Sequence, residues 1–280
     1  MKKQIILLSS GIILVAALFL FGKTSVPKKP LPQAAAAPEK LFDIQQFILS
    51  AKEKLTPSQA IYVSKLENGI SRGDVQTQQI KAYNDLANFW KDSVKLFEPY
   101  AFYLSEGSKL ENSEKNLTFA AQLFLENLRV EHDGAKLNWE TAQAIELFEK
   151  ALEHNPEDAD LKIGLGSAYV FGKGGSGNPQ ETMKGIQQLL SVVRKDSTNM
   201  RAQMVLGIGG TVSGQYDNAI KRLLKVVTAE PDNLEAMLFL ADAYAAKGDK
   251  AEAIKWYNAC KHLKSDKGFL QAIDEKIKSL

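Results

Sequence analysis

The sequence predicts an all-α chain, a stack of antiparallel helical hairpins preceded by one transmembrane helix and a Pro/Ala-rich linker. Three observations carry that prediction. The C-terminal half aligns with itself at a period of 34 residues. Apolar residues of the segment before it recur at helical spacing. The chain opens on an uncharged apolar run followed by clustered prolines. Together they divide it into 1–23, 24–40, 41–130 and 131–280.

Lys2 and Lys3 precede an uncharged stretch from Gln4 to Gly22 that is mostly Ile, Leu, Val, Ala and Phe, and Lys23 closes it. A helix of that length spans about 28 Å, close to the roughly 30 Å hydrocarbon core of a bilayer. A cleaved signal peptide begins the same way. The run ends Leu20-Phe21-Gly22-Lys23, however, without the paired small residues a peptidase needs, and Ala35 and Ala37 lie well beyond the segment. We therefore expect an uncleaved anchor. Lysines flank both ends, so charge nearly balances across the run. The very short leading segment argues for a soluble body on the extracytoplasmic side of a cytoplasmic (inner) membrane. Pro27, Pro30, Pro32 and Pro38 surround Ala34 to Ala37; proline at this density blocks helix and makes a semi-rigid spacer.

Residues 41–130 read as helices without a clear repeat. Thr56-Pro57-Ser58-Gln59 is a helix start, with a Thr cap, Pro in the first turn and Gln three residues on. Asp74 is placed to cap a helix through Ile80, Tyr83, Leu86, Phe89 and Trp90, and Ser113 one through Leu117, Ala120, Ala121, Phe124 and Leu128. These helices are expected to form degenerate hairpins that cover the end of the stack, since a solenoid needs an atypical terminal unit over its exposed apolar face.

The repeat begins its last unit at Leu234. Ala241 follows Leu240, then come Tyr244, Gly248, Ala253, Tyr257 and Cys260; 34 residues earlier the same slots hold Gly207 after Leu206, Gly210, Gly214, Ala219, Leu223 and Val226, closed by Pro231. One further step back gives Gly166, Tyr169, Gly185, Leu189 and Val192, if the glycine-rich stretch Gly172 to Pro179 is an insertion. Before it, Ala144, Phe148, Ala151 and Pro156 suit the second helix of another unit. Asp266 to Leu280, with Phe269, Ala272, Ile273 and Ile277 on one face, reads as a capping helix.

A small residue at a helix crossing, an aromatic one turn later, Gly at the hairpin and Ala-x-x-x-aromatic in the second helix together resemble the tetratricopeptide repeat family. The resemblance implies a right-handed superhelix whose first helices line a concave, partner-binding face. On that geometry the inward positions are Asp160, Ile163, Ser167 and Val170, then Arg201, Met204, Ile208 and Thr211, then Glu235, Leu238, Asp242 and Ala245. The family's chaperone-tail binders clamp a carboxylate with Lys and Asn where this chain has Ile163 and Ser167, so that role is not expected. A mixed, partly apolar groove suits a peptide or an amphipathic helix. The overall plan resembles single-span bacterial proteins with an exported tetratricopeptide domain that assist translocation or envelope assembly. The chain is accordingly read as a membrane-anchored interaction scaffold, with self-association into an envelope component as the alternative.

Other chemistry finds little support. A net charge of +2 provides no basic stripe for nucleic acid. The single cysteine, Cys260, excludes an intrachain disulfide and a multi-cysteine metal site; it falls in a small buried slot. His132, His154 and His262 have no ligand-like spacing. No catalytic grouping stands out, so neither an enzyme nor a cofactor is expected. Gly172 and Gly177 lack the following Lys-Ser/Thr of a phosphate loop, and Arg72-Gly73-Asp74 is read as a helix end followed by a cap rather than an adhesion tripeptide. Asn116-Leu117-Thr118 is a glycosylation sequon, but it lies inside an expected helix.

Overall fold

The structure, a computed structural model, describes residues 41–72, 75–173 and 179–280. The expected anchor, the proline linker, the proposed Asp74 cap and the centre of the glycine-rich insertion lie outside the described residues. Among those described there are thirteen α-helices and no strand. No helix among them is long and apolar enough to cross a membrane.

Two helices lead, α1 (Ile44–Lys52) and α2 (Pro57–Arg72). Five antiparallel pairs follow: α3 (Gln76–Asn88) with α4 (Phe97–Glu111), α5 (Glu114–Asn127) with α6 (Gly134–His154), α7 (Ala159–Lys173) with α8 (Pro179–Lys195), α9 (Met200–Val212) with α10 (Tyr216–Ala229), and α11 (Leu234–Lys247) with α12 (Lys250–Leu263). Helix α13 (Lys267–Lys278) closes the end. A π-helical segment, Phe89–Val94, extends α3 and stops at Lys95, whose φ of 60° is left-handed.

The period is written in the turns as well as in the cores. Asn199 and Asn233, 34 residues apart, each cap the next helix by accepting from the amide three residues on, Ala202 at 3.0 Å and Ala236 at 2.9 Å. Asp158 does the same for Leu161 at 2.8 Å. Each cap satisfies an amide that the helix itself leaves without a partner. At the hairpins, Gln215 N–H donates to Gly210 O and Asp249 N–H to Tyr244 O, again one period apart. Both turns need a left-handed residue, supplied by Gly214 at φ 76° and Gly248 at φ 88°.

Within each pair the small residue sets how closely the helices approach. A Cβ added to Gly166 would lie 2.5 Å from Leu189 Cγ, and one on Gly207 2.6 Å from Leu223 Cγ. Gly185 is tighter, since its Cβ would meet Tyr169 Cβ at 2.5 Å and the Gly166 carbonyl oxygen at 2.9 Å. In the last pair Ala241 and Tyr257 share a buried cluster with Ala253 and Ile273. There α13 packs Phe269, Ile273 and Ile277, as its periodicity predicts, while Ala272 stays exposed.

The N-terminal region continues the same construction. Thr56 and Gln59 form the expected reciprocal cap, Thr56 N–H donating to Gln59 Oε1 at 3.0 Å, and Ser113 Oγ accepts from Asn116 N–H at 3.4 Å. One core runs unbroken from Ala101 through Phe124 and Phe148 to Tyr169. The division expected at 130/131 therefore falls between the two helices of one hairpin, α5 and α6. Phe42, just ahead of α1, packs against Trp139 of α6, the two rings tilted by 53° with centroids 5.2 Å apart. Lys136 sits 5.3 Å from the Phe47 ring centroid and pairs with the buried carboxylate of Glu98 on α4.

Candidate functional site

The first helices of successive hairpins, α5, α7, α9 and α11, pack against one another along the stack. They carry the inward positions expected from the sequence, and the structure sorts those positions into three groups.

Ile163, Ser167, Val170 and Ile208 are only 2–5% exposed and present almost no surface to a partner. Ile163, Val170 and Ile208 belong to one core shared by α7, α8 and α9. Glycine tightens it at one point: a Cβ on Gly209 would come within 2.8 Å of Ile186 Cδ1 and 3.2 Å of Val170 Cγ2, so α9 lies close over Val170 and α8 there. Met204 is half-buried between two of the cores, alongside Phe239 of α11.

The charged positions are engaged within the chain. Arg201 on α9 pairs with Asp160 on α7 at 2.6 Å, both well exposed. Asp242 accepts from Lys276 of α13 at 2.7 Å and from the Tyr257 hydroxyl. Burial, then the Asp242 carboxylate, raises the Tyr257 phenol and keeps it protonated. Glu235, in the first turn of α11, forms an ion pair with Arg129.

Arg129 is a residue that periodicity does not find, because it follows α5 in a connection between helices. Its guanidinium lies 5.4 Å from the Phe171 ring centroid at the end of α7 while its head reaches Glu235. The side chain thus links three hairpins and spans from the second to the fifth. The remaining positions, Thr211, Leu238 and Ala245, are partly exposed, and Val212 beside them is exposed. They form a polar-apolar margin on α9 and α11.

Two buried titratable groups lie off this face. Glu140 of α6 has no exposed surface; Asn127 Nδ2 donates to its Oε1 at 2.9 Å. Desolvation, the largest influence, raises its carboxyl to about 7 against the weaker pull of Asn127. Cys260 is fully buried, and burial lifts its thiol to about 11. It packs as a small hydrophobe, as its slot in the repeat predicts.

Residues 212–266 match the tetratricopeptide repeat family model. No curated protein matches the sequence. Among solved structures, TTC0263, a thermophilic tetratricopeptide protein of Thermus thermophilus, is similar with a TM-score of 0.54 at 15% identity, over 72% of this chain and 100% of that one. YrrB, described as a tetratricopeptide protein with an unusual peptide-binding site, aligns at TM-score 0.44 and 18% identity, over 72% of this chain and 98% of its own. MamA of Desulfovibrio magneticus RS-1 aligns at 0.47 and 19%, over 66% and 94%. The matched segment, 212–266, spans α10, α11 and α12, so the last hairpin and the helix before it are similar to tetratricopeptide repeats, and the hairpin α9/α10 shares the same caps and glycine turn.

Proposed function

We propose that the chain is a membrane-anchored scaffold that holds partner proteins against the face formed by its first helices. The observation that carries this reading is the uninterrupted packing of α5, α7, α9 and α11, which places one residue stripe from four hairpins side by side. The accessible part of that stripe is the exposed Val212 with the partly exposed Thr211, beside Leu238 and Ala245, which keep part of their surface while packing against the cluster under α13. Such a margin suits the apolar side of a peptide or amphipathic helix. The carboxylates and the guanidinium nearby are already paired within the chain, which disfavours a carboxylate-clamping role.

The membrane part of the proposal is supported by the Gln4–Gly22 run and the proline linker. Their order implies a single-pass inner-membrane protein whose repeats face the extracytoplasmic side, in a role such as translocation or envelope assembly. A C-terminal reporter active in one compartment only tests the orientation. Photocrosslinking from position 211 or 238 in the full-length protein tests the face. A defined heterologous adduct, lost in Leu238→Arg but retained when the exposed Thr228 is changed instead, supports the reading. Adducts only between copies of the chain would assign the face to self-association, and no adduct at either position would refute it.

A further inference from the structure

Away from the first-helix face, α2, α3 and the π-helical segment enclose an open cleft of about 440 Å³. One wall carries Asp85, Asn88, Phe89 and Asp92, which recur at three-, four- and seven-residue steps and so share one side of α3 and its π-helical continuation. The other wall carries Gln59 and Tyr62 from α2. π-Helical turns of this kind are frequent at functional sites, since they give up regular helix geometry locally.

We propose that this cleft receives an arginine side chain from a partner polypeptide. Tyr62, 45% exposed, lines the cleft, and its ring is backed at 5.6 Å between centroids by the tilted ring of Phe89, which is itself buried. An aromatic face attracts a cation through its quadrupole, and a planar guanidinium also stacks on it. Asp85 already holds a cation, the exposed amine of Lys81 at 2.6 Å, whose protonation the carboxylate favours. Asp92 is exposed and makes no ion pair or hydrogen bond among the described residues. The amide of Asn88, likewise without a hydrogen bond among the described residues, adds a neutral acceptor. A planar fork of donors, charged at every accessible pH, matches one carboxylate, one carbonyl and a ring face together, which an ammonium point charge does not. This site is separate from the stripe on α9 and α11, so it either stands or fails without it.

The test uses the full-length protein and two acetylated, amidated hexapeptides, one containing alternating arginines and one with citrulline at the same places. Calorimetric titration is expected to show binding of the arginine peptide only. Asp92→Asn should weaken it about tenfold, the equivalent of roughly 1.4 kcal/mol, and Tyr62→Leu severalfold. Asp217→Asn, which removes an exposed carboxylate on α10 paired with Lys247, should leave it unchanged. Equal binding of the citrulline peptide would overturn the proposal. So would indifference to both cleft substitutions in variants whose helical circular dichroism matches the parent, or an equal loss in Asp217→Asn.

Discussion

Glu140 shows how one side chain makes stability depend on pH. Its folded carboxyl titrates at about 7, against 4.5 for the ordinary group. Between those values the folded state holds a proton that the unfolded state has released, so stability falls as pH rises through this window and levels off above it. Glu140→Gln keeps an acceptor for Asn127 Nδ2 and removes the charge. The variant should be more stable than the parent at pH 8, by on the order of 3 kcal/mol, and equal to it near pH 4. Chemical denaturation across that range reads the difference, and parallel curves for the two proteins would refute it. Little of this was legible beforehand: Glu140 reads in sequence as one more helical acid, and its burial depends on how α5 and α7 close over α6. Arg129 escaped for a related reason, since a connection has no period. The caps at Thr56 and Ser113 were legible because an N-cap is decided by residues within four positions of each other.

At the level of elements, glycines of identical sequence appearance have opposite roles. Gly185→Ala would push a methyl against the Tyr169 Cβ and a backbone carbonyl oxygen that cannot move aside. We expect a loss of about 1–3 kcal/mol in unfolding free energy. Gly69 in α2 has only Ala82 Cβ at 3.6 Å, an ordinary contact. Gly69→Ala should therefore stabilise, by about 0.5–1 kcal/mol from helix propensity and reduced chain entropy. Thermal unfolding of the two variants should shift in opposite directions, and a common sign would contradict the packing account. The repeat itself was legible because its small, aromatic and turn residues recur at one spacing. Of the hairpin α5/α6, the second helix was read as part of the repeat and α5 only as a degenerate end helix: α5 has Ala121 at the crossing, but no left-handed glycine turns the chain into α6, so its membership depends on packing.

For the molecule as a whole, the winding of the stack decides which inward residues are available. Sequence placed Ile163, Ser167, Val170 and Ile208 on the inner stripe, but the core shared by α7, α8 and α9, drawn close beside Val170 by Gly209, leaves them buried, and a distance of approach is not periodic information. The Arg129–Glu235 ion pair joins the second hairpin to the fifth, with two hairpins between them, and is therefore placed to bias that winding. Each partner is about 40% exposed, so the pair contributes at most about 1 kcal/mol to stability. Glu235→Lys is expected to leave the unfolding midpoint nearly unchanged while raising the radius of gyration measured by small-angle scattering. High salt should shift the parent the same way, because charges near the surface are screened over about 8 Å at physiological ionic strength. A scattering profile that neither change alters would show that packing alone sets the curvature.

The contact of Phe42 with Trp139 has a mechanical side. Chain connectivity alone would deliver tension from residue 41 first to α1, then to α2, peeling helices off one at a time like a zip. Because Phe42 rests on α6, and Lys136 of α6 touches Phe47 of α1 while gripping Glu98 of α4, the pull instead enters the array at three helices at once. An array pulled at residue 41 would then yield as a block rather than helix by helix.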